Sequence, residues 1–428
     1  MQLNKKKSIR LALAAASCTL LAEHANATEA NGWIINFGTL FYREDNRVNI
    51  MEPMVTAKHK YNEEDSFTLR YIRDTMSGAS PTGASISTKQ QLIPVQSNTS
   101  SSGSTNKYNP VDPYTLPLSK FLDERIAVGI NWNKSLSRTF HSILGANYST
   151  EHDYRSTSGS ATFLKDTADK LTTFTLGVSY SNDSVIPIGG VPIPLRLLQP
   201  PSIDNGEATQ GTRKNKQVLN GLVGVTQVIS RRVLMQLNFS AGKTSGYLTD
   251  PYKIISQVDS ITGITQDYIT EKRQDHRYRA AVYWKTVVHL PEDVIHFSYR
   301  YYRDSWAVKS HTLKADYQFN ITNHLYIIPS ARLYTQTRAK FFHYSLLKNE
   351  PIPAYASADL RLAPMISATA GLKIGYNFGS NSEISARIQH MRQYGEKHQA
   401  EAVGLQKQLD LFPTLQVWMF NIELTMDI

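Results

Sequence analysis

"QVWMFNIELTMDI", residues Gln416 to Ile428, decides how this chain folds. The even positions Trp418, Phe420, Ile422, Leu424, Met426 and Ile428 are apolar, while Asn421, Glu423, Thr425 and Asp427 fill odd ones. A period of two sends alternate side chains to opposite faces, so the segment reads as a strand with one face in an apolar medium and the other in water. Ala358 to Phe378 keeps the same rhythm over a longer span, with Asp359, Arg361, Lys373 and Asn377 on one face and Leu360, Leu362, Leu372 and Ile374 on the other. Strands of soluble sandwiches run about 5 to 6 residues. A tilted membrane strand needs about 9 to 11 and can extend into the medium.

The N-terminus says where such strands belong. Lys5, Lys6, Lys7 and Arg10 precede an apolar run from Leu11 to Ala22 and the small-residue site Ala25-Asn26-Ala27, the pattern of a secretory signal peptide. Cleavage is expected after Ala27, giving a signal peptide over 1–27 and a single barrel domain over 28–428. Cys18, the one cysteine, leaves with the signal, so neither a disulfide nor a thiolate metal site is expected. Removing 1–27 leaves 42 Lys/Arg against 35 Asp/Glu, a formal +7, too mild and too dispersed for a nucleic-acid binder.

Alternating segments fall at 33–42, 48–61, 66–74, 124–134, 139–150, 154–164, 171–181, 217–229, 233–245, 274–289, 294–304, 308–319, 324–338, 358–378, 383–392 and 411–428. These are about 16 strands, an even number as in bacterial single-chain barrels. The connectors sort by parity. Asn62 to Asp65, Lys134 to Arg138, Lys165 to Lys170, Ser230 to Arg232, Leu290 to Asp293, Asn320 to Asn323 and Gly379 to Ser382 are short, whereas Thr75 to Asp123, Asn182 to Lys216, Gly246 to Arg273, Ala339 to Ser357 and Gln393 to Asp410 are long. The parity holds only if 154–164, the weakest alternation, is a strand. The expected fold is therefore an all-β, transmembrane, antiparallel up-and-down barrel with short periplasmic turns and long extracellular loops, in the outer membrane of a Gram-negative bacterium. Trp33 and Trp132 fall near the periplasmic ends and Trp306 near the outer ends, where an aromatic girdle belongs. The C-terminal alternation is similar to the signal that barrel-assembly machinery reads, although the chain ends on Ile428 and not on an aromatic residue.

Several blocks together carry a family resemblance: Tyr42 to Val48, "DTMSGASPTGA" from Asp74 to Ala84, Asp250 to Ser256, Tyr299 to Leu313, and Ser357 to Leu362. In this order they resemble the bacterial outer-membrane β-barrel family of unknown function DUF3570. The resemblance implies an outer-membrane barrel without an established activity. It also implies periplasmic thioredoxin-like or flavin-transfer proteins as partners.

Catalytic readings find little support in the residues. His296 and Ser298 are spaced like the dyad of outer-membrane phospholipases, but their face alternates with Ile295, Phe297, Tyr299 and Tyr301 and is expected to meet the lumen, away from acyl chains. Asp304 and His311 are expected on opposite faces, against a protease pair. Gly242-Lys243-Thr244 lacks the earlier glycine of a phosphate loop. The histidines show no metal-ligand spacing. No enzyme, metal or cofactor is expected.

The lumen carries the positive expectation. Parity places Arg70, Arg277, Arg279, Lys285, Arg300, Lys314, Asp316, Arg332, Arg338, Asp359, Arg361, Lys373 and Arg387 on inward faces, most of them basic. In the hairpin Tyr299 to Leu313, Arg300, Asp304 and Lys314 are expected to form a charged strip near the outer mouth. Asp74, Gly78, Ser80, Pro81 and Gly83 are expected in an extracellular loop that could gate it. A barrel this wide admits water, and basic walls favour anions. The expected function is a porin-like channel or transport barrel for small anionic solutes in contact with outer-membrane lipids. The alternatives are a non-conducting barrel that docks periplasmic partners and a membrane-embedded hydrolase.

Overall fold

The computed structural model describes residues 32–94, 108–198, 209–378, 382–397 and 399–428. The signal peptide, with Cys18 and the expected cleavage site, lies outside the described residues, as do Gly379 to Asn381 of one short connector. The elements are β1 (Gly32–Glu44), β2 (Val48–Lys60), β3 (Ser66–Pro81), β4 (Gln91–Pro94), β5 (Tyr108–Val111), β6 (Leu118–Ser137) and β7 (Phe140–Thr150). Next come β8 (Tyr154–Asp166), β9 (Thr172–Val185), β10 (Lys214–Ser230), β11 (Val233–Gly246), β12 (Ile254–Val258), β13 (Thr265–Thr270) and β14 (His276–His289). The last are β15 (Val294–Asp304), β16 (Lys309–Asn320), β17 (Leu325–Gln336), β18 (Leu346–Leu347), β19 (Met365–Phe378), β20 (Ser382–Gly395) and β21 (Leu415–Asp427).

Sixteen of them close one antiparallel barrel in chain order, from β1 through β3, β6 to β11, β14 to β17 and β19 to β21. The expected fold and the weak strand are both present, the latter as β8. Closure comes from β1 against β21, in register from Ile34 opposite Asp427 to Glu44 opposite Val417. Beyond that ladder Trp33 and Ile428 exchange backbone hydrogen bonds of 2.6 and 2.8 Å. In hydrocarbon no water can satisfy a strand edge, so this seam completes the hydrogen bonding of the first and last strands.

The pleat sorts the residues. On β19, Ile366, Ala368, Ala370, Leu372, Ile374 and Tyr376 point out and Ser367, Thr369, Lys373 and Asn377 point in. Trp33 and Trp132 lie on the outward face at the short-turn end, as expected. Trp418 joins the girdle at the other end, its ring 4.4 Å from that of His390. Trp306 does not: it is buried, 3% exposed, and packs edge-on against Phe341 at 5.0 Å. The turn Ser305 to Val308 tucks it inward, where its indole N–H donates to the His276 carbonyl at 3.0 Å.

The loops hold a core of their own. Trp306, Val308, Phe341, Phe342, Leu362, Leu411 and Phe412 share one buried cluster, drawn from the β15–β16 turn and from the connectors after β17 and β20. A small sheet of β13, β12 and β18 ties the connector after β11 to the one after β17. Neither this sheet nor the β4–β5 hairpin was legible as a strand, because segments of 2 to 6 residues carry too little alternation. The loops thus form a packed plug at the mouth.

Gly375 is required by close approach. A Cβ there would lie 2.1 Å from Cζ of Tyr326, whose ring covers the glycine from the neighbouring strand while its hydroxyl donates to Glu383 at 2.6 Å. Gly375→Val is expected to cost about 1–3 kcal/mol by overpacking. It should lower the temperature at which the folded band converts to the unfolded one in heat-modifiable gel electrophoresis.

Candidate functional site

Inward placement holds for the charged strand residues. Arg277 and Arg279 of β14, Lys314 and Asp316 of β16, Arg332 of β17 and Arg387 of β20 take the less exposed positions of their strands, and on β15 Arg300 lines the interior chamber while Asp304 pairs with Arg277. Within the expected strip of Arg300, Asp304 and Lys314, two members are engaged by other partners. Asp304 accepts from Arg277 Nε and from the Tyr302 hydroxyl, both at 2.8 Å, and from the backbone N–H groups of Trp306 and Val308 at 2.9 and 3.0 Å, so it builds the turn. Lys314 pairs instead with Asp316 on its own strand at 2.7 Å.

Three expectations need correction. Asp359 and Arg361 are not on a barrel strand: β19 begins at Met365, and the alternation from Ala358 to Pro364 belongs to an incoming loop with a short 3-10 helix, Leu360–Leu362. Asp359 caps that turn by accepting from the Arg361 N–H at 3.1 Å. Arg338 lies beyond the end of β17, exposed and paired with Glu401 at 2.8 Å. Asp74, Gly78, Ser80 and Pro81 belong to β3, which runs to Pro81, and of the five only Gly83 lies in the loop. Asp74 faces the lumen wall and pairs with Arg125 at 2.5 Å. Gly78 has φ +129°, and a Cβ there would meet the Arg47 carbonyl at 2.0 Å, so the glycine lets the β1–β2 turn approach β3 closely.

Asp359 and Arg361 nevertheless reach the lumen, because the loop carries them in. Arg361 Nε bridges both carboxylate oxygens of Asp359 at 2.8 and 2.7 Å, and its Nη2 donates to Asp250 at 2.7 Å. Arg273 binds Asp359 at 2.8 Å and Glu271 at 2.6 Å. Glu271 also accepts from the Asp250 N–H at 2.6 Å and from the Ser357 hydroxyl. Lys253 donates to Ser80 Oγ at 3.1 Å and to the Pro81 carbonyl, tying the network to β3. Gln336 of β17 donates to the carbonyls of Arg361 and Ala363 at 2.9 and 2.7 Å. Burial opposes the ionised Asp359, yet Arg361, Arg273 and Lys253 hold its carboxyl well below the usual carboxylate range; the same pairing holds Arg361 above the usual guanidinium range against its own burial. Burial lowers Lys253.

Beneath this network lies a cavity of about 270 Å³. Arg277, Arg279 and Arg300 face it from the wall, and Arg273 and Arg361 from the plug; with Lys216 these are the basic groups of the lining, against Asp359 as its acid. Arg279 Nη2 donates to the side-chain oxygen of Asn220 at 3.2 Å. Tyr302, Trp306 and Tyr334 supply aromatic surface, with the Arg277 guanidinium 4.3 Å from the Trp306 ring centre. Planar guanidinium forks around a small space suit carboxylate or phosphate oxygens. Arg273, Lys216 and Asn220 escaped the reading of the chain. Arg273 ended a long connector, and Asn220 carries no charge to mark it.

His296 and Ser298 share the face of β15 that carries Arg300 and Asp304, and Ser298 stands opposite Lys285 and Lys314 in the two ladders. Among the described residues one carboxylate group could hold a hard cation: Asp123, Glu151 and Asp153 bring an oxygen each within 4.8 Å of one another at the rim. Glu151 and Asp153 share the β7–β8 turn, but Asp123 comes from β6, so no local spacing marks the set. Burial, then repulsion from Asp123 against the pull of Arg125, pushes Glu151 up to about 7.

A closed antiparallel barrel with an apolar outer face, short turns at one end and a polar, charged interior is an outer-membrane β-barrel. The chain belongs to the family described as Protein of unknown function (DUF3570), whose profile matches residues 10–426. No curated protein matches the sequence. Among solved structures, the chain is similar to a point mutant of the ferric enterobactin receptor PfeA of Pseudomonas aeruginosa, at 8% identity and TM-score 0.44 over 90% of this chain and 58% of that one. This chain thus spans less than two thirds of that receptor. It is also similar to a bacterial polysaccharide outer membrane secretin, at 7% identity and TM-score 0.44 over 92% and 98% of the two chains. OccK3 (OpdO) of Pseudomonas aeruginosa is a third, at 8% identity and TM-score 0.40 over 94% and 97%.

Two outcomes follow from the plug and the rim. Arg361→Ala strips Asp359 and Asp250 of their shared guanidinium, and breaking a buried pair from one side costs about 3–5 kcal/mol. Limited proteolysis should then cut within 337–364 while the barrel still gives a heat-modifiable band. A carboxyl raised in the folded state contributes stability that is full below its ordinary value of 4.5 and lost as pH rises through about 7. Band conversion should therefore need less heat at pH 8 than at pH 5, and Glu151→Gln should shrink that difference.

Proposed function

We propose that this barrel passes small organic or inorganic anions across the outer membrane, with the loop plug closing its mouth at rest. The cavity lined by five arginines and one acid, Asp359, under the plug carries the reading. Charges facing water in a barrel lumen are kept hydrated or paired, and here part of the basic charge is matched by the plug's own carboxylates. Displacing the plug removes Asp359 with its loop and leaves Arg277, Arg279 and Arg300 on the wall. Release and anion preference are then coupled through the same groups. The reading is non-enzymatic and needs no cofactor.

The interlocked loop core favours a low-conductance resting state and, as a second reading, a barrel that does not conduct and instead docks periplasmic partners. Planar-bilayer recordings separate the two. The wild type should show rare openings, Arg361→Ala should conduct more often, and the open state should favour chloride over potassium. Adding Arg279→Ser and Arg300→Ser to Arg361→Ala should reduce that preference several-fold. Silence from every variant at all salt concentrations would overturn the transport reading and leave docking.

A further inference from the structure

The outward face of the β15–β16 hairpin is not used by the chamber. β15 has 11 residues, about the length that a tilted strand needs to cross, so its last outward residue stands at the boundary of the hydrocarbon. Ile295, Phe297, Tyr299 and Tyr301 lead up that face to Arg303; on β16, Lys309 leads down to His311 and Leu313. Arg303 and Lys309 are direct partners in the ladder, both exposed. Like charges directly opposite destabilise an antiparallel pair, and beside a low-dielectric medium they are poorly screened. Neither has an ion pair among the described residues. The neighbouring acids are engaged elsewhere: Asp304 points inward onto Arg277, and Asp275 is bonded to His276 at 2.8 Å.

The surroundings set the height and the breadth of the pair. The Tyr299 hydroxyl and His311 Nδ1 are 2.7 Å apart, and the Tyr301 and His311 rings are 5.1 Å apart, an aromatic shelf just below the charges. Such shelves lie at headgroup level. Lys243 of β11 stands 5.7 Å from the ring centre of Tyr278, its ladder partner on β14. Arg303 faces Ala280, two residues further along β14 on the same face. Lys243, Arg303 and Lys309 thus form an arc over four consecutive strands, roughly 14 Å across at about 4.8 Å per strand.

We propose that this arc binds the phosphate groups of a phosphorylated lipid headgroup in the outer leaflet. Arg303 and Lys309 hold one phosphate between them and so relieve their mutual repulsion. Lys243 meets a second charge of the headgroup, and the acyl chains lie along Tyr299, Tyr301 and Leu313. The lipid is a membrane constituent, distinct from the solute of the chamber, and its binding does not depend on conduction.

The test reconstitutes the full protein in zwitterionic vesicles with a phosphorylated acylated disaccharide lipid, its dephosphorylated form, or inorganic phosphate alone. Native mass spectrometry after extraction reads the retained lipid, and gel conversion reads stability. The wild type is expected to retain the phosphorylated lipid and convert at a higher temperature with it. Arg303→Gln with Lys309→Gln should lose at least tenfold in retention, while Arg155→Gln on a distant strand should not. If the double variant fails to insert, Lys309→Gln alone is scored in the same way. Equal retention by wild type and variant, equal retention of the dephosphorylated lipid, or a full shift from inorganic phosphate alone would each overturn the proposal.

Discussion

Everything in this structure depends on one requirement: in hydrocarbon each backbone N–H and C=O must find its partner within the protein. A sheet meets that demand only by closing, and β1 against β21 closes this one. Closure with a two-residue pleat makes every strand partition its side chains between lipid and lumen. Arg277 and Arg279 are tolerated in a membrane protein because they share a face with Ala281 and Lys285, not with Tyr278, Val282 and Trp284. The lumen then has to hold charge, and that charge needs water or counter-charges.

The plug answers part of that need. Asp359, Asp250 and Glu271 arrive from two different loops and meet Arg361 and Arg273 at 2.6–2.8 Å. The loops bring their own apolar core as well, so they are held by packing and by ion pairs together. Paired charges of this kind contribute little net stability compared with an apolar filling, but leaving one partner unmatched is costly. That asymmetry favours the one arrangement of the loops in which every partner is matched.

Legibility divided along the same line. Strand number, parity and the inward faces could be read because lipid and water impose opposite demands on neighbouring residues. Asp359 and Arg361 reach the lumen from a loop and not from a strand. Their alternation with Leu360 and Leu362 imitates a strand, whereas the segment is a loop whose leucines pack into the plug. Trp306 misled similarly, since an aromatic residue near a strand end suits a girdle or a loop core equally well. The blocks that carried the family resemblance, 74–84, 250–256 and 357–362, meet in the folded protein, where Ser80, Pro81, Asp250, Lys253, Ser357, Asp359 and Arg361 interlock. No periodicity joins segments so far apart in the chain, so their association became visible only in three dimensions.

The seam between the first and last strands has a consequence for chain statistics. Asn36 and Thr425, which share a 2.9 Å hydrogen bond across it, are 389 residues apart, whereas most other barrel strands pair with a neighbour a few residues away. Closing a flexible loop of that length costs about 5 kcal/mol beyond a constant, since the penalty grows only as the logarithm of length. The intervening hairpins shorten the effective loop as each forms, so the entropy of the final join falls steadily while the sheet grows. By loop-closure entropy, a barrel with its ends in one seam is therefore easiest to finish last.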